Sequence, residues 1–156
     1  MRANLIGVGY WGSFIYKTLK EIGFNDINLC DPQVPGASNN YKKMEDAQYI
    51  FIATPVKSHF EICKYFLSQG KKVFCEKPLV TTEEEAQELY EIAEKHNTYL
   101  FVDWVFTYNY GVSLIKQYIE DKRQELHRNP INDIYICRKN TDIDHITDIS
   151  AKIDLA

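Results

Sequence analysis

The run ANLIGVGYWGSFIYKTLKEIG, residues 3–23, passes from an apolar segment through three glycines into apolar residues at helical spacing. Residues 3–8 read as a short strand. Residues 13–22 read as a helix carrying Ile15, Leu19 and Ile22 on one side, stopped by Gly23. Between them Gly7, Gly9 and Gly12 complete G-x-G-x-x-G, with Tyr10 and Trp11 in its variable positions. The pattern acquires meaning only in this strand–turn–helix context. The first glycine then permits the tight turn, the second lets backbone N–H groups approach a diphosphate, and the third lets helix and strand pack closely. A dinucleotide is the expected ligand, contacted by Gly7, Gly9, Tyr10, Trp11 and Gly12.

Outward from this unit, strands and helices alternate. Strand signals lie at 26–30, 48–54, 72–75 and 99–106, and helical periodicity at 58–70 and 82–95. Ser58 with Glu61, and Thr82 with Glu85, have capping-box spacing. Such alternation predicts an α/β fold, a Rossmann-type open parallel sheet with helices on both faces and ligands at the strands' carboxyl ends. One crossover is short. Only about 17 residues separate Asp31 from Tyr49, too few for the usual helix, strand and helix. The sheet is therefore expected to be shortened between strands 2 and 4, with a helical turn near residues 41–46 and the third strand missing or rudimentary. A dinucleotide-binding domain over 1–122 and an incomplete second domain over 123–156 follow, the latter holding a strand at 133–138.

Asp31 ends the second strand nineteen residues after Gly12, where a carboxylate accepts hydrogen bonds from the adenosine ribose. It would repel a 2′-phosphate, and Pro32 and Gln33 follow it rather than an arginine, so NAD is expected over NADP. An Asp-Pro pair also serves to cap a loop. ATP at 53–55 ends the next strand, with Ser58 and His59 close behind, and CEKP at 75–78 ends the one after.

With 45% hydrophobic residues, 26% charged residues and a net charge of −4, the chain has the makings of one core under an ordinary polar surface. Nothing in that balance calls for a nucleic-acid partner. The apolar runs fall well short of the roughly 20 residues of a membrane-spanning helix, and the start lacks signal-peptide features, so the reading is cytoplasmic. Four cysteines at irregular spacing, with no CxxC and no clustered histidines, read as reduced thiols and give no metal site.

Together, GVGYWG and ATPVKSHFEICKYFLSQGKKVFCEKPLV resemble the N-terminal domain of the Gfo/Idh/MocA oxidoreductases, which act on sugars, cyclic polyols and nucleotide sugars. The resemblance implies that Lys77 faces the nicotinamide and the substrate hydroxyl, that Glu76 lines the nicotinamide side, and that Thr54, Pro55 and His59 border the dinucleotide. An ammonium suits that place because it can hydrogen-bond an alkoxide forming as hydride departs. FVDWVFTY at 101–108 is similar to the nucleotide-sugar branch, although Trp104 stands at that branch's histidine. Arg138 and Asn140 resemble an Arg-x-Asn element. Asp154, Leu155 and Ala156 resemble the first letters of a catalytic Asp-Leu-Ala-Pro-His-Asp motif. Asp154 is thereby a candidate catalytic residue, and the histidine expected as general base lies beyond the sequence. The chain is accordingly expected to bind NAD while turning over little sugar or nucleotide-sugar substrate. The alternative is a non-catalytic assembly module, a homo-oligomer formed through an exposed strand edge at 133–138.

Overall fold

The computed structural model describes residues 1–126, 133–138 and 149–154; the side chains of residue 106, of residues 122–126 and of the two C-terminal strands lie outside that description. Five parallel strands form the first sheet: β1 (Arg2–Ile6), β2 (Asp26–Cys30), β3 (Tyr49–Ile52), β4 (Lys72–Cys75) and β5 (Leu100–Val102), in the order β2-β1-β3-β4-β5. Its connections carry α1 (Tyr10–Glu21), α2 (His59–Leu67) and α3 (Glu83–Lys95).

The alternation of side chains across the pleat divides the core in two. Ile50, Ile52, Val73, Cys75 and Val102 pack with Ile62, Phe66 and Leu67 of α2 and Leu89 and Ala93 of α3. Ala3, Tyr49 and Phe51 pack instead with Ile15 and Leu19 of α1 and with Phe24. Helices thus cover both faces, as the sequence pattern predicts. Cys30, Cys63 and Cys75 are buried and unpaired. A hydrogen bond with Cys63, reinforced by burial, pushes the Cys75 thiol well above the ordinary cysteine value.

The short crossover is as trimmed as its length demands. A 3-10 turn spans Tyr41–Lys43, and the place of a third strand is taken by a single parallel bridge between Cys30 and Ser38. The Asp31 N–H donates to the Ser38 carbonyl and the Ser38 N–H to the Leu29 carbonyl, both at 2.9 Å.

Several expected boundaries and caps move. Helix α1 begins at Tyr10, inside the glycine motif, with Gly9 as its N-cap. Thr82 caps α3, its Oγ1 accepting from the Glu85 N–H at 3.3 Å. Ser58 does not cap α2; its hydroxyl donates to the Pro55 carbonyl and Thr54 Oγ1, both at 2.8 Å, because a 3-10 turn at Val56–Ser58 intervenes. The strand expected at 99–106 ends at Val102, and Val105–Tyr108 form a 3-10 turn.

The chain divides into compact units at Met1–Trp104 and Val105–Ala156, so the division falls before the expected residue 122. The second unit contains α4 (Tyr110–Leu126) and two antiparallel strands, β6 (Asp133–Arg138) and β7 (Ile149–Asp154). Strand β7 fills a segment with no decisive period in its sequence. It pairs with β6 over six residues, so one edge of β6 has a partner within this chain. No helix among the described residues is long and apolar enough to cross a membrane.

Candidate functional site

Parallel register assembles the site. Ile6 lies opposite Cys30 and Ile52, Ile52 opposite Cys75, and Cys75 opposite Val102. The residues that follow them, Gly7, Asp31, Ala53, Glu76 and Asp103, therefore leave the sheet along one carboxyl edge. Backbone bonds extend the ladder there: Gly7 N–H donates to the Cys30 carbonyl at 2.9 Å, Ala53 to Ile6 at 2.8 Å, Glu76 to Ile52 at 2.9 Å and Asp103 to Cys75 at 3.0 Å.

The three motif glycines do different work. Gly7 adopts φ +86°, and a Cβ there would lie 2.6 Å from the Ala53 carbonyl oxygen. A Cβ on Gly12 would overlap the Gly7 carbonyl oxygen. Gly9 has nothing within 4 Å of where its Cβ would project. No side chain caps α1 and its first turn holds no acidic residue, so its opening amides and the positive end of its dipole face that open space.

A cleft of about 620 Å³ extends from this point, within the range of ligand pockets. Gly7, Gly9, Tyr10 and Trp11 line it, with Asp31 from β2 and Thr54 and Pro55 from β3. The structure brings all of these sequence-predicted residues together. It also adds Gln33, Asn39, Tyr41, Ser58 and Ile62 to the walls.

Asp31 both shapes the cleft and faces it. One carboxylate oxygen accepts from the Val8 N–H and the other from the Gln33 N–H, each at 2.8 Å. The first bond ties β2 to the glycine loop and the second closes an Asx turn, the loop-capping alternative. A carboxylate has about four lone-pair positions, so two backbone bonds leave acceptor capacity on the cleft side.

His59 is placed otherwise than expected. At 1% exposure it lies beneath the surface, with Nε2 2.7 Å from the Thr54 carbonyl and Nδ1 3.0 and 3.2 Å from the carbonyls of Pro78 and Leu79. It clamps the end of β3 to the loop after β4 and supports the cleft from behind.

Glu76 is 8% exposed, and its Oε2 accepts from the Lys77 N–H at 3.3 Å. Burial first, then the charge of Asp103, raises its pKa above the ordinary 4.5. The folded chain thus keeps this proton to higher pH than the unfolded chain does, and stability is lost as pH rises through the interval. Glu76→Gln is expected to raise the Tm at neutral pH and to leave it unchanged well below pH 4.5. Thermal melts at both pH values decide the matter, and a pH-independent difference would contradict this account. Lys77 is exposed, with Nζ 5.8 Å from the centre of the Trp11 indole.

A model of a family described as oxidoreductase, with an NAD-binding Rossmann fold, matches residues 30–104. Residues 30–104 of this chain thus match the Gfo/Idh/MocA oxidoreductases. Among curated relatives, an uncharacterized oxidoreductase of Bacillus subtilis is 34% identical over 105 residues, which are 65% of this chain and 27% of that protein. The crystal structure of myo-inositol 2-dehydrogenase from Lactobacillus plantarum is similar with a TM-score of 0.66 at 27% identity, covering 80% of this chain and 42% of that one. The WlbA dehydrogenase of Thermus thermophilus, solved with NAD and α-ketoglutarate, shares the fold with a TM-score of 0.67 at 22% identity, over 78% of this chain and 47% of that one. The chain thus spans less than half the length of these relatives.

Apart from His96, the other candidates belong to the second unit or adjoin it. Trp104 and Tyr108 are exposed around the 3-10 turn. Asp154 ends β7, opposite Asp133 in the strand register. Asn140, Leu155, Ala156, His127 and His145 lie outside the described residues. His96 caps the C-terminus of α3 on the surface. Among the described residues there is no His, Cys, Asp and Glu cluster suited to a metal ion.

Proposed function

We propose that this chain supplies the dinucleotide-binding part of an NAD-dependent dehydrogenase acting on a sugar or nucleotide-sugar hydroxyl. The observation that carries the reading is the cleft itself: an uncapped helix N-terminus beside an open Gly9, with Asp31 along the same wall. These residues fit a dinucleotide. The amides opening α1 would bind the diphosphate, Asp31 the ribose hydroxyls, and Thr54 and Pro55 the wall between the β3 and β4 ends. Glu76 and Lys77 would flank the nicotinamide end.

Bound there, NAD would supply the hydride acceptor for oxidation of a secondary carbinol. Lys77 would hydrogen-bond the carbinol oxygen and stabilise negative charge as it develops, while Glu76 fixes the Lys77 backbone through its N–H.

Calorimetry with NAD and NADP tests the reading. NAD should bind more tightly than NADP, and Asp31→Ala should weaken NAD by about tenfold or more, the loss of one or two charge-assisted hydrogen bonds. The same substitution should lower the Tm, because two backbone N–H groups lose their acceptor. Absence of binding by either dinucleotide at millimolar concentration overturns the assignment.

A further inference from the structure

We propose that Trp11 is a positioning residue for Lys77, its indole face holding the ammonium at the nicotinamide end of the cleft. This inference rests on the reading of the cleft as a dinucleotide site. Trp11 belongs to the first turn of α1 and lines the cleft, yet it is 55% exposed, so packing in the core does not account for its size. The Lys77 ammonium stands 5.8 Å from the ring centre, within the reach of a cation–π contact.

Among the described residues no carboxylate lies within ion-pair distance of that ammonium. The backbone of Lys77 is fixed by the Glu76 carboxylate, but a lysine side chain has four further rotatable bonds. The indole is what confines the far end. Its own plane is steadied by Tyr10, edge-on at 5.3 Å, and by Phe14 at 6.2 Å. The contact also links two loops that sequence separates widely, the glycine turn after β1 and the segment after β4. A ligand resting on the glycine turn therefore meets Lys77 in a preset place.

The test is nuclear magnetic resonance on the whole chain carrying ¹³C-labelled lysines. A lysine over an indole has its terminal methylene protons displaced upfield by the ring current, and the Lys77 signal is identified by its loss in Lys77→Met. We expect that displacement in the parent chain, its loss in Trp11→Leu and its partial retention in Trp11→Phe, which keeps an aromatic face. A nuclear Overhauser contact between the indole protons and the Lys77 terminal methylene gives the same answer without any substitution. A Lys77 signal at the position of solvated lysines, or one unchanged by Trp11→Leu, overturns the proposal.

Addition of NADH separates this inference from the one beneath it. The displacement is expected to persist while the Gly9 amide signal moves. Return of Lys77 to the solvated position on NADH binding overturns positioning in the loaded cleft. An unmoved Gly9 amide at saturating NADH overturns the cofactor reading, and with it any catalytic meaning of the Trp11–Lys77 contact.

Discussion

Gly12→Ala is expected to destabilise the chain by about 4 kcal/mol or more, a large part of the 5–15 kcal/mol that holds a typical domain together. The added methyl would overlap the Gly7 carbonyl oxygen and approach within 2.9 Å of the Gly7 carbonyl carbon. Both are backbone atoms. Overpacking against side chains costs typically about 1–3 kcal/mol because rotamers yield, but a turn fixed by its own hydrogen bonds has no such relief. Gly7 is anchored to the Cys30 carbonyl, and Val8 to Asp31, so moving the turn disturbs the ends of β1 and β2 together. Urea unfolding of parent and variant measures the effect. A difference below about 1 kcal/mol would mean that α1 can lift from the sheet at small cost, contrary to the packing described.

Gly9→Val should show the reverse behaviour. Nothing lies within 4 Å of the position its Cβ would take, and Gly9 has a negative φ of −69° that valine tolerates. Stability should change by less than about 1 kcal/mol, the scale of ordinary glycine replacements at unstrained positions. NAD affinity should fall by about a hundredfold or more, because the branched side chain fills the space through which the helix amides reach a diphosphate. Calorimetry and thermal melting on one sample give both quantities. Parent-like affinity with an intact fold would remove the diphosphate from this loop.

Much of this arrangement was legible in the residues. Glycines at three fixed offsets gave the turn, and Asp31 at the end of the next strand gave the far wall of the cleft. The stretches at 49–52 and 72–75 are strands in which Ile50, Ile52, Val73 and Cys75 are buried and the residues alternating with them are half-buried, so the sheet has cover on both faces. Other features depend on contacts that no local pattern encodes. His59 follows a cleft-lining serine in sequence, yet the turn at Val56–Ser58 rotates it into the interior toward carbonyls nineteen and twenty residues away. Ser58 had a suitable capping partner in Glu61, and lost that role because the 3-10 turn at Val56–Ser58 intervenes and its hydroxyl meets Thr54 and Pro55 instead. Asn39 and Tyr41 entered the cleft because the crossover is short, and a loop's path follows from the single bridge at Ser38 rather than from its composition. Asp103 became Glu76's electrostatic neighbour through strand order, although the two are 27 positions apart in the chain.

The lone bridge at Ser38 has a kinetic meaning. A full strand would lock the Asp31 side of the cleft into the cooperative ladder, so that it opened only when the domain unfolded. Here two amide bonds, Asp31 to Ser38 and Ser38 to Leu29, secure the strap, and their rupture leaves β1, β3 and β4 undisturbed. Protons on those two amides should trade with solvent deuterium far sooner than those of Ile6 or Ile52, giving this half of the binding crevice its own clock for admitting and releasing a guest.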